Sequence, residues 1–377
     1  MPLYEPVSSP DRLLRFSFPA AGVRGQIIRL EHGWTEVARR HRTHEAREVS
    51  PNLRQRLGEL TAAGLLLSAS LKFDGSLVLQ IQSQGPVALF VVECENDARF
   101  RATVKIREGR RIMPDASLAD LLGPLAQARF AVTLLPRSGT EGTGSLSAPY
   151  QGIVPFEGDT VAELLENYMA RSEQVPTRLW LAADDEQAFG LLLQRMPRTG
   201  GIESPTNGLD GLDGFGGDEG VDDGVNASDD GERDASGVRE DGAIDARGAR
   251  GAGDAGDAQG ADDRPDRHAD DDGWNRLVTL AETLTRAEML ELPVDTVLYR
   301  LFHETPPRVF GARAPRFVCN CSRHKVESML RLLGPDEVAS IVREQGLVEV
   351  RCEFCGEEYQ LGADEAFSLF DRSGAGD

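Results

Sequence analysis

The chain has 377 residues, a formal net charge of −21, and five cysteines. This length allows two or more domains with a sizeable core, and the acidity argues against nucleic acid as the main partner. Because the first residues lack a signal-like apolar segment and no apolar run is long enough for a membrane span, we expect a cytoplasmic protein without a membrane partner, whose thiols stay reduced.

Residues 1–198 are predicted to form an α+β core domain. Apolar runs of strand length at residues 75–83, 86–95 and 99–106 follow one another as a meander. Cys94 lies in the second run and is interpreted as a small buried residue rather than a reactive thiol. Strands in such succession, accompanied by helices, are typical of an α+β fold.

Two helices are predicted to pack on these strands. Residues 52–73 are apolar all round towards their end, as expected of a buried helix. Residues 158–174 form the second helix, with Asp159 as its predicted N-terminal cap.

Residues 199–273 are predicted to be a disordered acidic insert. Between 199 and 272 the sequence holds 22 acidic residues against six arginines, and Phe215 is the only aromatic residue. Such a segment cannot bury enough apolar surface to offset the entropy lost on ordering. The sequence leaves open whether the insert is plain solvated chain or a solubilising, partner-excluding segment.

Helical periodicity returns in residues 274–315, which are predicted to form a helical linker. Short helices are marginally stable alone in water, so we expect the linker to pack on the core. Its apolar faces are supplied by Trp274, Leu277, Leu280, Leu284, Leu298, Leu301 and Phe302.

The other four cysteines gather in a predicted C-terminal domain, residues 316–377. Cys319 and Cys321 form a C-x-C pair, and Cys352 and Cys355 form a C-x-x-C pair at a predicted hairpin knuckle. Four thiolates from a knuckle and a loop suit tetrahedral Zn²⁺, so one zinc per chain is predicted.

The helices between the two pairs have clear boundary signals. Ser322 is predicted to cap the first helix and Gly334 to end it, while Pro335 opens the second helix and Gly346 ends it. A short strand over 347–352 then leads into the knuckle.

Several alternatives to this zinc site stay open from the residues alone. The site could be a closed structural one that only folds a small domain, or His324 could replace one sulfur. A thioredoxin-like redox pair lacks its usual βαβ context. None of the six histidines falls in a recognisable hydrolase or metalloprotease motif, so an enzyme is not expected. The competing binding function is a static zinc ribbon that binds RNA or protein.

The sequence resembles the bacterial 33 kDa chaperonin family, the redox-regulated heat-shock holdases. The resemblance rests on VRGQIIRL (23–30), SEQVPT (172–177), CNCSRHKVESMLRLLG (319–334) and VEVRCEFCGEEYQL (348–361). It implies a core, a metastable linker and a C-terminal zinc-binding redox switch. The acidic insert at the start of the linker departs from the family pattern, as does the absence of paired glycines before residues 191–197.

The family resemblance also implies a function. It implies an ATP-independent holdase that is inactive with zinc bound, becomes active on forming the disulfides Cys319–Cys321 and Cys352–Cys355, and dimerises when activated. Its partners would be unfolding or oxidatively damaged client proteins. The apolar linker is the expected client-binding surface, through Trp274, Leu277, Leu298, Leu301 and Phe302.

Overall fold

The computed structural model describes residues 9–44, 50–71, 74–137, 149–196 and 267–371. Most of the predicted insert, up to residue 266, lies outside the described residues. The predicted α+β class is confirmed, since the core combines runs of mostly antiparallel strands with packed helices and a small helical and hairpin module follows at the C-terminus. None of the helices in the described ranges is long and apolar enough to cross a lipid bilayer.

The strands in chain order are β1 (Arg12–Phe18), β2 (Val23–Leu30), β3 (Gly75–Gln82), β4 (Val87–Glu95), β5 (Arg99–Ile106), β6 (Arg129–Pro136), β7 (Tyr150–Pro155), β8 (Thr177–Ala183), β9 (Ala188–Arg195), β10 (Arg308–Arg313), β11 (Arg316–Phe317), β12 (Leu347–Arg351) and β13 (Glu358–Gly362). The helices are α1 (His32–His44), α2 (Pro51–Ser70), α3 (Leu118–Leu122), α4 (Val161–Ser172), α5 (Arg267–Glu282), α6 (Arg286–Glu291), α7 (Val294–Phe302), α8 (Arg323–Leu333), α9 (Pro335–Gln345) and α10 (Ala363–Asp371).

The strands form two large sheets and one hairpin in the described parts of the chain. The first sheet has the order β10-β1-β2-β9-β8, and the second has the order β11-β5-β4-β3-β6-β7. All neighbours pair antiparallel except β11, which runs parallel to β5 through Arg316 and Phe317. The hairpin β12-β13 belongs to the C-terminal module.

Helix α2 packs against strands of both sheets. Pro51 occupies its first turn, and the side chain of Ser50 caps it by accepting a hydrogen bond from the Leu53 N–H. Almost every residue from Leu57 onward is buried, as the all-round apolar pattern predicts. Gly64 lets the helix approach β4 closely, because a Cβ there would lie 3.1 Å from the Cys94 Sγ.

The predicted cap at Asp159 is wrong by one position. The cap of α4 is Thr160, whose Oγ1 accepts a hydrogen bond from the Glu163 N–H, while the backbone of Thr160 is extended. The Asp159 N–H instead donates to the Glu163 carboxylate. A capping side chain must reach the N–H two or three positions ahead, and Thr160 stands in that place.

The linker helices α5, α6 and α7 pack on the first sheet. They share one apolar cluster with β1, β2 and β9 that contains Phe16, Ile27, Phe189, Leu298 and Phe302. The linker is not wholly helical, because β10 extends the sheet by pairing with β1. Helix α5 begins at Arg267, within the range predicted as insert.

The C-terminal module, defined here as residues 319–371, has its own small apolar cluster. The predicted boundaries of its helices are confirmed at Ser322, Gly334, Pro335 and Gly346. Six buried residues form the cluster: Val326, Leu330, Val338, Val348, Leu361 and Ala366. A core of this size contributes little stability, so a module of this kind depends on other bonds.

Candidate metal centre

The four cysteine sulfurs of the C-terminal module converge on one point, where all four Sγ atoms lie within 4.8 Å of one another. The Sγ atoms of Cys319 and Cys352 are 3.6 Å apart, and those of Cys321 and Cys355 are 3.3 Å apart. Both contacts join one loop to the other. The C-x-C and C-x-x-C pairs therefore face each other across a single site.

Two loops of different kinds place these sulfurs. Cys319 and Cys321 lie between β11 and the capped start of α8. Cys352 and Cys355 lie in the knuckle, defined as residues 352–356, between the two strands of the hairpin. The Gly356 N–H donates to the Cys352 carbonyl over 2.8 Å, and Gly356 has a φ of 81°, which a glycine adopts without strain.

Burial and the contacts with the other three sulfurs raise the pKa of the Cys355 thiol. A backbone hydrogen bond at Glu357 acts in the opposite direction but is outweighed. Four closely packed sulfurs need a compensating cation to ionise together. Zinc–sulfur bonds of about 2.3 Å in a tetrahedron separate the sulfurs by about 3.8 Å, which fits the spacing here. The residues present therefore fit a zinc ion, with all four thiolates as ligands.

His324 is exposed and outside the sulfur cluster. Within the described ranges, the four cysteines are the group of side chains arranged to hold a metal ion. The fifth cysteine, Cys94, is fully buried in β4, and burial raises the pKa of its thiol. The interpretation of Cys94 as a buried core residue is confirmed.

Two residues beside the sulfurs were missed by sequence reasoning. The Tyr359 hydroxyl donates a hydrogen bond to the Cys321 Sγ over 3.2 Å. Burial lowers the pKa of Arg101, but the hydrogen bonds and charges of Glu93 and Cys319 outweigh it and raise this pKa. A fixed guanidinium thus lies beside the Cys319 sulfur. Tyr359 follows Cys355 closely in sequence, whereas Arg101 is over 200 residues from Cys319 and gave no local signal.

The residues predicted to bind clients are buried against the core. Leu277, Leu298, Leu301 and Phe302 are 1–3% exposed, and Trp274 is partly buried against the same cluster. In this arrangement the four buried side chains are inaccessible to a large partner, and Trp274 is only partly exposed. The four can contact such a partner only after the linker leaves the sheet.

A family model for the Hsp33 protein matches residues 11–362. The chain is 35% identical over 364 residues to the 33 kDa chaperonin of Neisseria meningitidis, covering 97% of this chain and 93% of that protein. The chain belongs to the Hsp33 family. The chain is also 37% identical over 361 residues to the 33 kDa chaperonin of Chromobacterium violaceum, and the match covers 96% of this chain and 94% of that protein.

The crystal structure of an Hsp33 homologue from Thermotoga maritima matches with a TM-score of 0.63, covering 96% of this chain and 98% of that one. At 18% identity, this similarity shows a shared fold. Membership of the Hsp33 chaperone family, predicted from the motifs, is confirmed. The static zinc ribbon is accordingly not favoured.

Proposed function

We propose that this Hsp33 chain is a redox-regulated, ATP-independent holdase of the cytoplasm. It is inactive while the four cysteines are reduced and hold one zinc, and it binds unfolding proteins after the cysteines are oxidised. The observation that carries the proposal is the convergence of four sulfurs in a module with a small apolar core. The separately buried apolar linker supplies the surface to be released.

The chemistry of the switch lies in the sulfurs. Bound zinc would supply four bonds that join the two loops and hold the cysteines as thiolates. A hydroperoxide transfers one oxygen to a thiolate and gives a sulfenic acid. A neighbouring thiolate attacks that sulfur, the S–S bond forms, and hydroxide leaves. We assign the pairs Cys319–Cys321 and Cys352–Cys355, after which no thiolate remains to hold a metal.

Losing the metal bonds would remove the main source of stability of the C-terminal module. Its apolar cluster has only six buried residues, while metal binding contributes roughly 10–16 kcal/mol to folding in small zinc domains. The module therefore unfolds when both disulfides form. This step converts a local oxidation into a change of tertiary structure.

The linker is the proposed client-binding surface. When it leaves the first sheet, Trp274, Leu277, Leu298, Leu301 and Phe302 become accessible together with the apolar face they covered. Contiguous exposed apolar surface of this kind binds unfolding chains without specific sequence recognition. The same exposed surface would allow the activated protein to form a homodimer.

Metal analysis tests the ligand set. Reduced protein should contain about one zinc per chain, as a single tetrahedral site requires. The Cys352→Ser, Cys355→Ser double variant should lose the metal, whereas Cys94→Ser, at a buried position outside the cluster, should keep it. Zinc retained by the double variant would refute the ligand set. Peptide mapping after peroxide treatment should recover the disulfides Cys319–Cys321 and Cys352–Cys355. Because the sulfurs of Cys319 and Cys352, and of Cys321 and Cys355, also lie in contact, the mapping must distinguish these pairs from disulfides between the two loops.

A further inference from the structure

Tyr359 places a hydroxyl group directly on one sulfur of the cysteine cluster. Its O–H donates a hydrogen bond to the Cys321 Sγ over 3.2 Å. Tyr359 stands on β13 of the hairpin, opposite Val350 of β12, whereas Cys321 belongs to the C-x-C loop that precedes α8. The contact therefore joins the hairpin to the other cysteine loop through a single side chain.

Packing within the module fixes the Tyr359 ring. Tyr359 and Leu361 lie two residues apart on β13, so they share one face of the hairpin. Leu361 is fully buried in the apolar cluster of the module, and Tyr359 and Val350 are partly buried against the same cluster. A ring held in this way loses little further freedom when its hydroxyl binds a sulfur. The hydrogen bond to Cys321 is thus a preorganised contact.

Two other sulfurs accept hydrogen bonds of different kinds. The Glu357 backbone N–H donates to the Cys355 sulfur, and the Arg101 guanidinium donates to the Cys319 sulfur. A backbone N–H cannot be deleted by an ordinary substitution, and an arginine cannot be replaced without removing a charge. The Tyr359 hydroxyl, in contrast, can be deleted alone, because phenylalanine has the same ring.

We propose that Tyr359 is a positioning residue of the redox switch, whose hydroxyl lowers the reactivity of the Cys321 thiolate towards hydroperoxides and strengthens the hold of this thiolate on zinc. The proposal rests on the redox function above and names a residue that sets its oxidant threshold. Tyr359 acts through the sulfur and not as a metal ligand.

The hydrogen bond opposes oxidation because it engages the electron pair with which the thiolate reacts. In the oxidation step this pair attacks one oxygen of hydrogen peroxide, an S–O bond forms, the O–O bond breaks, hydroxide leaves and a sulfenic acid remains. The sulfur loses two electrons and the peroxide gains them. An O–H group that donates to the thiolate stabilises its charge before the attack, so the barrier to oxidation rises.

The same hydrogen bond favours metal binding. Four thiolates around one divalent cation carry a net charge of about −2. A hydroxyl that donates to one of the sulfurs draws part of this charge out of the cluster. Groups that hydrogen-bond to metal ligands typically account for roughly 10- to 100-fold in metal affinity or activity.

The test uses the reduced full-length protein with three substitutions. Tyr359→Phe removes only the hydroxyl. Tyr299→Phe is the matched control, because it removes a tyrosine hydroxyl from a side chain that is 74% exposed on α7. Val350→Ala truncates the cross-strand neighbour of Tyr359 and leaves the hydroxyl in place. It therefore reports the effect of lost packing alone.

Cobalt(II) bound in place of zinc reports the sulfur directly. The thiolate-to-cobalt charge-transfer bands should move to longer wavelength in Tyr359→Phe, because a sulfur without the hydrogen bond gives up its electrons more readily. Tyr299→Phe and Val350→Ala should keep the parent bands. In zinc-loaded samples, competition with a chelator should show an affinity about 10-fold lower for Tyr359→Phe and parent-like for Tyr299→Phe.

Oxidation of the two cysteine pairs is compared in one sample by alkylation and mass spectrometry. In Tyr359→Phe, hydrogen peroxide should oxidise the C-x-C pair about 3- to 10-fold faster, relative to the C-x-x-C pair, than in the parent protein, as expected for one lost hydrogen bond to a charged sulfur. A general loss of stability would speed the oxidation of both pairs. Val350→Ala should therefore keep the parent ratio.

A second measurement leaves every tyrosine ring in place. Growth on 3-fluorotyrosine gives the parent protein more acidic hydroxyls, which are stronger donors, so the cobalt bands should move to shorter wavelength. This measurement decides the matter if Tyr359→Phe fails to fold.

Parent-like cobalt bands together with a parent-like oxidation ratio in Tyr359→Phe would overturn the proposal, as would unshifted bands in the fluorotyrosine protein. The cobalt spectra involve neither oxidant nor client. If oxidised parent protein fails to protect a client, the proposed function fails while the effect of Tyr359 on the sulfur stands by itself.

Discussion

The guanidinium of Arg29 in β2 donates a hydrogen bond to the main-chain oxygen of Met289, 2.8 Å away in linker helix α6. It also donates to the carbonyls of Leu290, at 2.6 Å, and Leu292. Arg29 is only 6% exposed, and Gln187 of the core accepts from it as well. A core residue therefore satisfies the carbonyl oxygens at the end of α6, which a helix leaves without internal partners.

Replacing Arg29 should weaken linker docking. Arg29→Met leaves several buried carbonyls without donors, at a cost of about 1–3 kcal/mol for an unsatisfied buried group. Hydrogen exchange of residues 286–302 should become faster in the reduced protein, and activation should need less oxidant. Arg12→Ala is the matched control, because it removes a partly exposed linker–core ion pair with Asp295, worth about 0–1 kcal/mol. Equal effects of the two substitutions would contradict this role of Arg29.

Truncating the buried face of α7 should have a larger effect. Leu298 and Leu301 are each 3% exposed in the cluster on the first sheet, and such truncations cost on the order of 2–5 kcal/mol each. The Leu298→Ala, Leu301→Ala variant should protect clients with little or no oxidant, as measured by light scattering of a heated client. Tyr299→Ala, at a side chain 74% exposed on the same helix, should behave like the parent protein. An oxidant requirement unchanged by the double substitution would count against linker release.

Acid should weaken the start of α6. Hydrogen bonds from the backbone N–H and side chain of Thr285, with a smaller contribution from Arg300, lower the pKa of Glu288 below its ordinary value. A lowered folded-state pKa gives stability that is present above the unfolded pKa of about 4.3 and is lost as pH falls through the folded pKa. The difference in linker exchange between the parent and Glu288→Gln should therefore shrink from pH 6 to pH 3. A difference that is constant with pH would exclude this carboxylate as its source.

Local patterns predicted the elements that carry the site. Ser322, Gly334, Pro335 and Gly346 act on backbone groups a few residues away, so their effects are visible in sequence. The cysteine spacing likewise anticipated a four-sulfur cluster. Each of these inferences depends on interactions of short range along the chain.

The contacts that connect the module and linker to the core were not predictable in this way. Arg40 reaches the Cys355 carbonyl across more than 300 residues, and Arg29 reaches α6 across more than 250. The sequence predicts a helical linker over residues 274–315, whereas residues 308–313 form β10 because they pair with β1. An arginine in a strand or a helix gives no sign of which distant carbonyl it will bind.

Cys94 should take no part in the switch. It is fully buried beneath α2, and a buried protonated thiol is unreactive. Cys94→Ala should retain one zinc and oxidant-triggered client protection, with a loss of stability on the order of 1 kcal/mol for the small cavity. The checks are metal analysis, client aggregation and denaturant unfolding. Loss of activation with the metal retained would show that this thiol is involved.

The most direct test of the redox switch follows zinc and client protection in one sample. Reduced, zinc-loaded protein is treated with hydrogen peroxide at mildly raised temperature, and metal release, disulfide content and aggregation of a heat-denatured client are recorded together. The account predicts that client protection rises from a low level as zinc leaves and the two disulfides form, and that a Cys352→Ser, Cys355→Ser variant shows no such oxidant-dependent rise. Release of zinc with both disulfides formed, while client protection stays at the level of the reduced protein, would contradict it.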